Sequence, residues 1–175
     1  LTAEENVEEG LTEKPLRLVH FGQQATKAVL FNEGVKQAKG NYLFFLAPDT
    51  ELIGADSLEE MLGSCMRKES GIVGARLYDG EKRIAHAGVI IGLHGLAGAA
   101  FAGFPKTEED VYSRILSRQC YSAVTGACML VKRSVFEAAG GFSEDFGLAF
   151  WDLDFCLRVG ALGKRVIYEP YAEFY

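Results

Sequence analysis

The chain has 175 residues, is 49% hydrophobic and carries a formal charge of −6, with Lys and Arg dispersed along it. That is material for one domain with a sizeable core; no apolar run approaches the roughly 20 residues a membrane-spanning helix needs, and residues 1–10 lack the basic and apolar regions of an export signal. The charge disfavours nucleic acid as a partner but admits a small anionic ligand bridged to carboxylates by a divalent cation.

Cys65, Cys120, Cys128 and Cys156 form no C-x-x-C pair and no His stands at ligand spacing, so reduced thiols in a cytoplasmic protein are expected. Residues 1–15 read as an acidic leader or linker, and residues 16–175 as one domain.

Residues 16–20 suggest a short strand. Residues 23–38 suggest a helix with Ala28, Phe31, Val35 and Ala38 on one side, stopped at Gly40-Asn41, before an apolar strand over 42–46. Ser57-x-x-Glu60 reads as a capping box ahead of Leu58, Met61, Leu62, Cys65 and Met66 at helical spacing. Residues 71–77 are strand again, and Asp79-Gly80 signals a hairpin leading to Ile84 and the segment 88–92.

From His94 to Pro105 the Gly- and Ala-rich chain reads as an irregular loop. Thr107 is placed to cap a helix over 108–118, a strand-like run spans 121–131 with a break at Thr125-Gly126-Ala127, and Ser134-x-x-Glu137 caps a short helix ended by Gly140-Gly141. Residues 151–161 look helical, and 164–168 form a terminal strand closed by Pro170. The alternation describes an α/β sheet with an antiparallel part, whose ligands sit beyond the carboxyl ends of strands.

Asp49 and Glu51 follow the 42–46 strand at such an exit, although turn formation in a solvated loop accounts for them equally well. Asp152 and Asp154 open a helix, where the macrodipole favours acids; two residues apart they point roughly 200° from each other, so only one can face a given pocket. His86 and His94 are expected to be surface or packing residues.

Several phrases occur in one order: Asn32-Glu33-Gly34 and residues 38–46; Gly71-Ile72-Val73-Gly74-Ala75; His86-Ala87-Gly88; residues 121–128; Gly140-Gly141-Phe142; and residues 150–158 with 168–173. Together they resemble the family 2 glycosyltransferases, in particular bacterial ones that build surface polysaccharide.

The resemblance implies a GT-A-like fold with a mixed, mainly parallel sheet flanked by helices. It also implies an inverting transfer from a nucleotide-sugar donor to a glycan acceptor, with Mn²⁺ or Mg²⁺ on the diphosphate. Asp49 matches the last acid of that family's Asp-x-Asp motif and would bind the metal, whereas Asp152 matches the catalytic base. Thr125, Gly126 and Trp151 would lie near the acceptor sugar, Asp154 would be a substrate-side or supporting acid, and Asn32 is assigned to cofactor binding.

Ala47 stands where the motif has its first acid, and the first nucleotide-binding strand of the family has no counterpart here. The resemblance therefore implies a piece of a longer transferase, with an exposed sheet edge capable of self-association. An inactive transferase-like domain that binds a glycan or another protein is the alternative expectation.

Overall fold

A computed structural model of the chain describes residues 25–105 and 114–175. In chain order the elements are α1 (Lys27–Gln37), β1 (Tyr42–Leu46), α2 (Ser57–Met66), β2 (Ser70–Tyr78), β3 (Ile84–His86), β4 (Val89–Ile91), β5 (Ala97–Ala99), β6 (Gln119–Cys120), β7 (Cys128–Lys132), α3 (Arg133–Ala138), α4 (Trp151–Ala161) and β8 (Arg165–Phe174). The strand expected over 16–20 and the Thr107-capped start of the 108–118 helix lie outside the described residues.

The main sheet runs β1-β7-β2-β8-β6, with β3 paired to β2, and β4 and β5 form a separate two-stranded ribbon. The α/β architecture and the antiparallel part are as expected, but the balance is not mainly parallel among the described residues. Only β2 with β8 is parallel, while β1–β7, β2–β7, β2–β3 and β6–β8 are antiparallel.

All nine residues of β2 are buried, Arg76 and Ser70 among them, in keeping with a central strand covered on both faces. Alternate side chains serve two cores. Ile72 joins Val131, Phe45, Phe142, Trp151 and Phe155 under α1, α3 and α4; Val73 joins Leu130, Ile167, Met61 and Cys65 under α2. Each such fully buried aliphatic or aromatic side chain contributes about 1.5–3 kcal/mol.

Local cues failed where tertiary partners were stronger. Ser57 does not cap α2; its hydroxyl donates to the Glu173 carbonyl at 3.4 Å and accepts the Glu173 N–H at 3.1 Å, and Asp56 occupies the cap position. Ser134 lies inside α3, which Lys132 precedes as cap. The cap that does form is Thr26, whose Oγ1 accepts the Val29 N–H at the start of α1.

Three strand boundaries also differ. The glycine- and alanine-rich 94–105 segment contains β5, because β4 offers it a ladder partner. Residues 121–127 are irregular, with the strand beginning only at Cys128. β8 runs through Pro170: the register passes from Ala75↔Glu169 to Arg76↔Glu173, so a bulge absorbs the residue without an N–H.

That bulge aims Glu169 inward, where it is fully buried and accepts hydrogen bonds from Ser64 Oγ and Arg118 Nε at 2.5 Å each. Truncating one partner of such a pair strands the rest. Glu169→Ala is expected to lower the unfolding free energy by about 3 kcal/mol, measured by urea denaturation, and a loss below about 1 kcal/mol would show that Arg118 and Ser64 rehydrate freely.

Candidate functional site

β1 leaves the sheet through a turn. The Ala47 N–H donates to the Ala127 carbonyl at 2.8 Å and the Thr50 N–H returns to the Ala47 carbonyl at 3.1 Å, which places Pro48 and Asp49 at the exposed tip. Among the described residues the Asp49 carboxylate has no hydrogen-bond or ion-pair partner. Glu51 is tied down instead, exchanging backbone hydrogen bonds with Tyr175 at 2.8 Å in each direction.

A cavity of about 360 Å³ opens between the start of α4, residues 125–127 and the β4–β5 ribbon; Thr125, Ala127, Phe150, Trp151, Asp152 and Lys27 are among its lining residues. Asp152 stands in its wall. Its Oδ2 accepts the Gly126 N–H and its Oδ1 the Leu153 N–H, both at 2.9 Å, so two amides orient the carboxylate at a helix N-terminus.

The peptide segment 126–127 thus connects both acids' elements. Gly126 N–H holds Asp152 while the Ala127 carbonyl holds Ala47, two residues before Asp49.

Gly126 is packed against the six-membered ring of the Trp151 indole, and a Cβ built there would lie 2.0 Å from Trp151 Cη2. Trp151 itself is 5% exposed and is wedged against Phe142 and Phe31, with ring centroids 4.8 and 5.6 Å away. It forms the floor beneath Gly126 as well as a core contact.

Two expected site residues are employed elsewhere. Asp154 accepts from Arg158 Nε at 2.8 Å and lies in ion-pair contact with its Nη2 at 2.6 Å, and Arg158 Nη1 donates to the carbonyls of Ala139 and Gly141, so this acid braces the Gly140-Gly141 turn rather than the cavity wall. The opposite directions of Asp152 and Asp154 follow from their helical spacing. Asn32 bridges α1 to the 142–144 segment, donating to the Phe142 carbonyl and Glu144 and accepting the Phe142 N–H within 3.0 Å.

Sequence reasoning missed three contributors. Phe150 caps α4 with φ +67°, a strained conformation for an aromatic residue, and is exposed at the cavity. Lys27 brings a cation there. His86, expected as a surface or packing residue, is buried, and its Nε2 accepts the N–H groups of Thr125 at 3.2 Å and Gly88 at 3.3 Å. No local pattern signals Lys27; the phrase 150–158 was the available hint for Phe150, and His86-Ala87-Gly88 that for His86.

Burial pulls the His86 imidazole down from 6.5 to about 4. Between those values the unfolded chain binds the extra proton, so stability falls as pH drops from 6.5 toward 4 and is fully present above 6.5. At about 1.4 kcal/mol per pH unit the loss is about 3 kcal/mol, expected in urea midpoints measured from pH 7 to pH 4 and reduced in His86→Gln.

Among the described residues no cluster of three His, Cys, Asp or Glu side chains is arranged to hold a metal. Asp49 alone fits a hard divalent ion only as one oxygen donor in a shell completed by other oxygen ligands, such as phosphate and water.

No family model matches the sequence. The chain is 38% identical over 165 residues to an uncharacterised protein of Sinorhizobium fredii, covering 94% of this chain and 18% of that protein. It is 36% identical over 137 residues to the O-antigen biosynthesis protein RfbC of Myxococcus xanthus, covering 78% and 11% respectively. An N-acetylglucosaminyl-diphospho-decaprenol L-rhamnosyltransferase of Mycobacterium tuberculosis is 32% identical over 83 residues, 47% of this chain and 27% of that enzyme.

In structure the chain resembles a mannosyltransferase of Pyrobaculum calidifontis solved with GDP-Man and Mn²⁺, at TM-score 0.56 and 17% identity over 85% of this chain and 35% of that one. The fold is therefore that of the GT-A glycosyltransferases. By sequence the chain is similar to the three bacterial proteins named above, one of them a rhamnosyltransferase, and it spans about a quarter or less of the length of each.

Proposed function

We propose that the protein transfers a sugar from a nucleotide-sugar donor to a glycan acceptor in surface polysaccharide synthesis, with inversion at the anomeric carbon. The observation that carries this reading is Asp152, fixed by the Gly126 and Leu153 amides in the wall of the cavity. A carboxylate so held can take the proton of an acceptor hydroxyl as the oxygen attacks from the face opposite the leaving diphosphate.

Asp49 would hold the divalent ion, Mn²⁺ or Mg²⁺, and the ion when bound would offset charge developing on the departing diphosphate. Thr125, Gly126 and Trp151 shape the acceptor side, and Lys27 supplies a positive charge to the same cavity. Asp154 and Asn32 act through the turns they brace.

Incubating the full-length protein with a panel of nucleotide sugars and oligosaccharide acceptors tests the reading. Released nucleoside diphosphate together with a product of inverted anomeric configuration by NMR is the expected result. A retained configuration would overturn Asp152 as base.

Ala47 favours a second reading. It is 3% exposed, so a buried methyl stands where the family's first motif acid would be, as in a transferase-like domain that only recognises its ligand. Glycan binding without nucleotide release in the same assay would select it.

A further inference from the structure

The segment 123–127 has no regular secondary structure, yet its backbone is fastened from several sides. The Ala123 carbonyl accepts the Val89 N–H at 2.8 Å, Thr125 Oγ1 accepts the Ala127 N–H at 3.2 Å, and the Ala127 carbonyl accepts the Ala47 N–H at 2.8 Å. Gly126 N–H is spent on Asp152. Cys156 Sγ donates to the Val124 carbonyl at 3.6 Å, and the tie on the Thr125 N–H comes from a side chain 39 positions away.

That side chain is His86. Because its Nε2 accepts from both Thr125 and Gly88, the ring is in the neutral tautomer with the proton on Nδ1. The neighbouring Gly88 takes φ +104°, and a Cβ there would lie 2.3 Å from the Tyr121 ring, so β3 and the 121–125 segment approach too closely for any other residue. The approach delivers the imidazole to the peptide next to the one that orients Asp152.

Resting on the transferase reading, we propose that His86 is a positioning residue for Asp152: its Nε2 fixes the Thr125–Gly126 backbone, and that backbone aims the carboxylate at the acceptor. His86 touches no substrate in this scheme. A carboxylate swung aside by an ångström loses its near-attack geometry, which costs on the order of 10²-fold in rate. Substrate binding by the rest of the cavity is untouched.

Steady-state kinetics of the full-length wild type, His86→Gln and His86→Leu test this, beside hydrogen exchange of the peptide containing residues 123–127. Gln places an amide oxygen near the position of Nε2; Leu places none. The expected result is kcat lowered roughly 10²-fold in His86→Leu with KM within about threefold, kcat restored to within about threefold of wild type in His86→Gln, and exchange at 125–126 accelerated only in the Leu variant.

If His86→Leu fails to fold, His86→Asn takes its place, since its shorter amide does not reach the Thr125 N–H; the same loss is expected. An active wild type with unchanged kcat in the folded variant overturns the role of His86 alone, as does failure of Gln to rescue. A wild type that transfers no sugar overturns the transferase reading, and the role of His86 with it.

Discussion

Asp152→Asn is expected to lower kcat by about 10²–10⁴-fold while KM for the donor stays within about threefold. Asn has the same shape, and its amide oxygen can still accept the Gly126 N–H that Asp152 Oδ2 accepts at 2.9 Å, so the start of α4 keeps its tie to residue 126, while the amide NH2 gives up the Leu153 N–H that Oδ1 accepts. What the substitution removes is the capacity to take a proton. Thermal denaturation should report a loss of only about 1 kcal/mol, that of the Leu153 hydrogen bond, and that small loss beside a large fall in rate separates this variant from a structural lesion. A fall in stability matching the fall in rate would mean that the carboxylate serves the helix start, as acids there commonly do.

Gly126→Ala is the second large effect, for the opposite reason. The added methyl would sit 2.0 Å from Trp151 Cη2, far inside van der Waals contact. The indole cannot retreat, since Phe142 meets it edge-on at 4.8 Å and Phe31 lies at 5.6 Å. The 126–127 backbone must move instead, and it carries the hydrogen bonds to Asp152 and to Ala47. Overpacking of this kind costs about 1–3 kcal/mol, and transfer should be lost even where the protein remains folded. Unfolding curves and turnover on the same preparation check both halves. The double variant Gly126→Ala, Trp151→Leu should recover most of the stability, because the clash has a single cause.

Where the sequence was legible, burial made it so. The strand over 42–46 was readable as an unbroken apolar run and that over 71–77 as a run broken only by Arg76, which folding buries against Glu173, and the helix over 151–161 was readable from helical spacing, although of Leu153, Cys156 and Leu157 on the expected face only Cys156 is fully buried and Leu157 is exposed. Asp49 and Asp152 were singled out as candidate site residues only through the order of the phrases around them. Their spacing alone suits a turn former and a helix-start acid equally.

What the sequence hid was decided by distant partners. β8 continues past Pro170 because a bulge opposite Ala75 and Arg76 absorbs it, and nothing near Pro170 announces that bulge. Ser57 abandoned a well-formed capping pattern for Glu173, 116 residues away. β5 is a strand only because β4 lies alongside. His86 read as a packing residue since an imidazole's work depends on which amide it meets, and Thr125 meets it through the close approach at Gly88. Asp154 illustrates the converse: helical spacing showed that it faces away from Asp152, but not that Arg158 would be waiting there.

In the function proposed above, the exit of β1 and the start of α4, joined through residues 126–127, make one metal-dependent nucleotide-sugar site. Calorimetric titration of the full-length protein with nucleoside diphosphates in the presence of Mn²⁺, repeated with Asp49→Ala and with Mn²⁺ withheld, tests it most directly. The account predicts binding of one or a few of the nucleotides, lost on withholding the metal and lost again on removing the Asp49 carboxylate. Binding that is indifferent to both would contradict it.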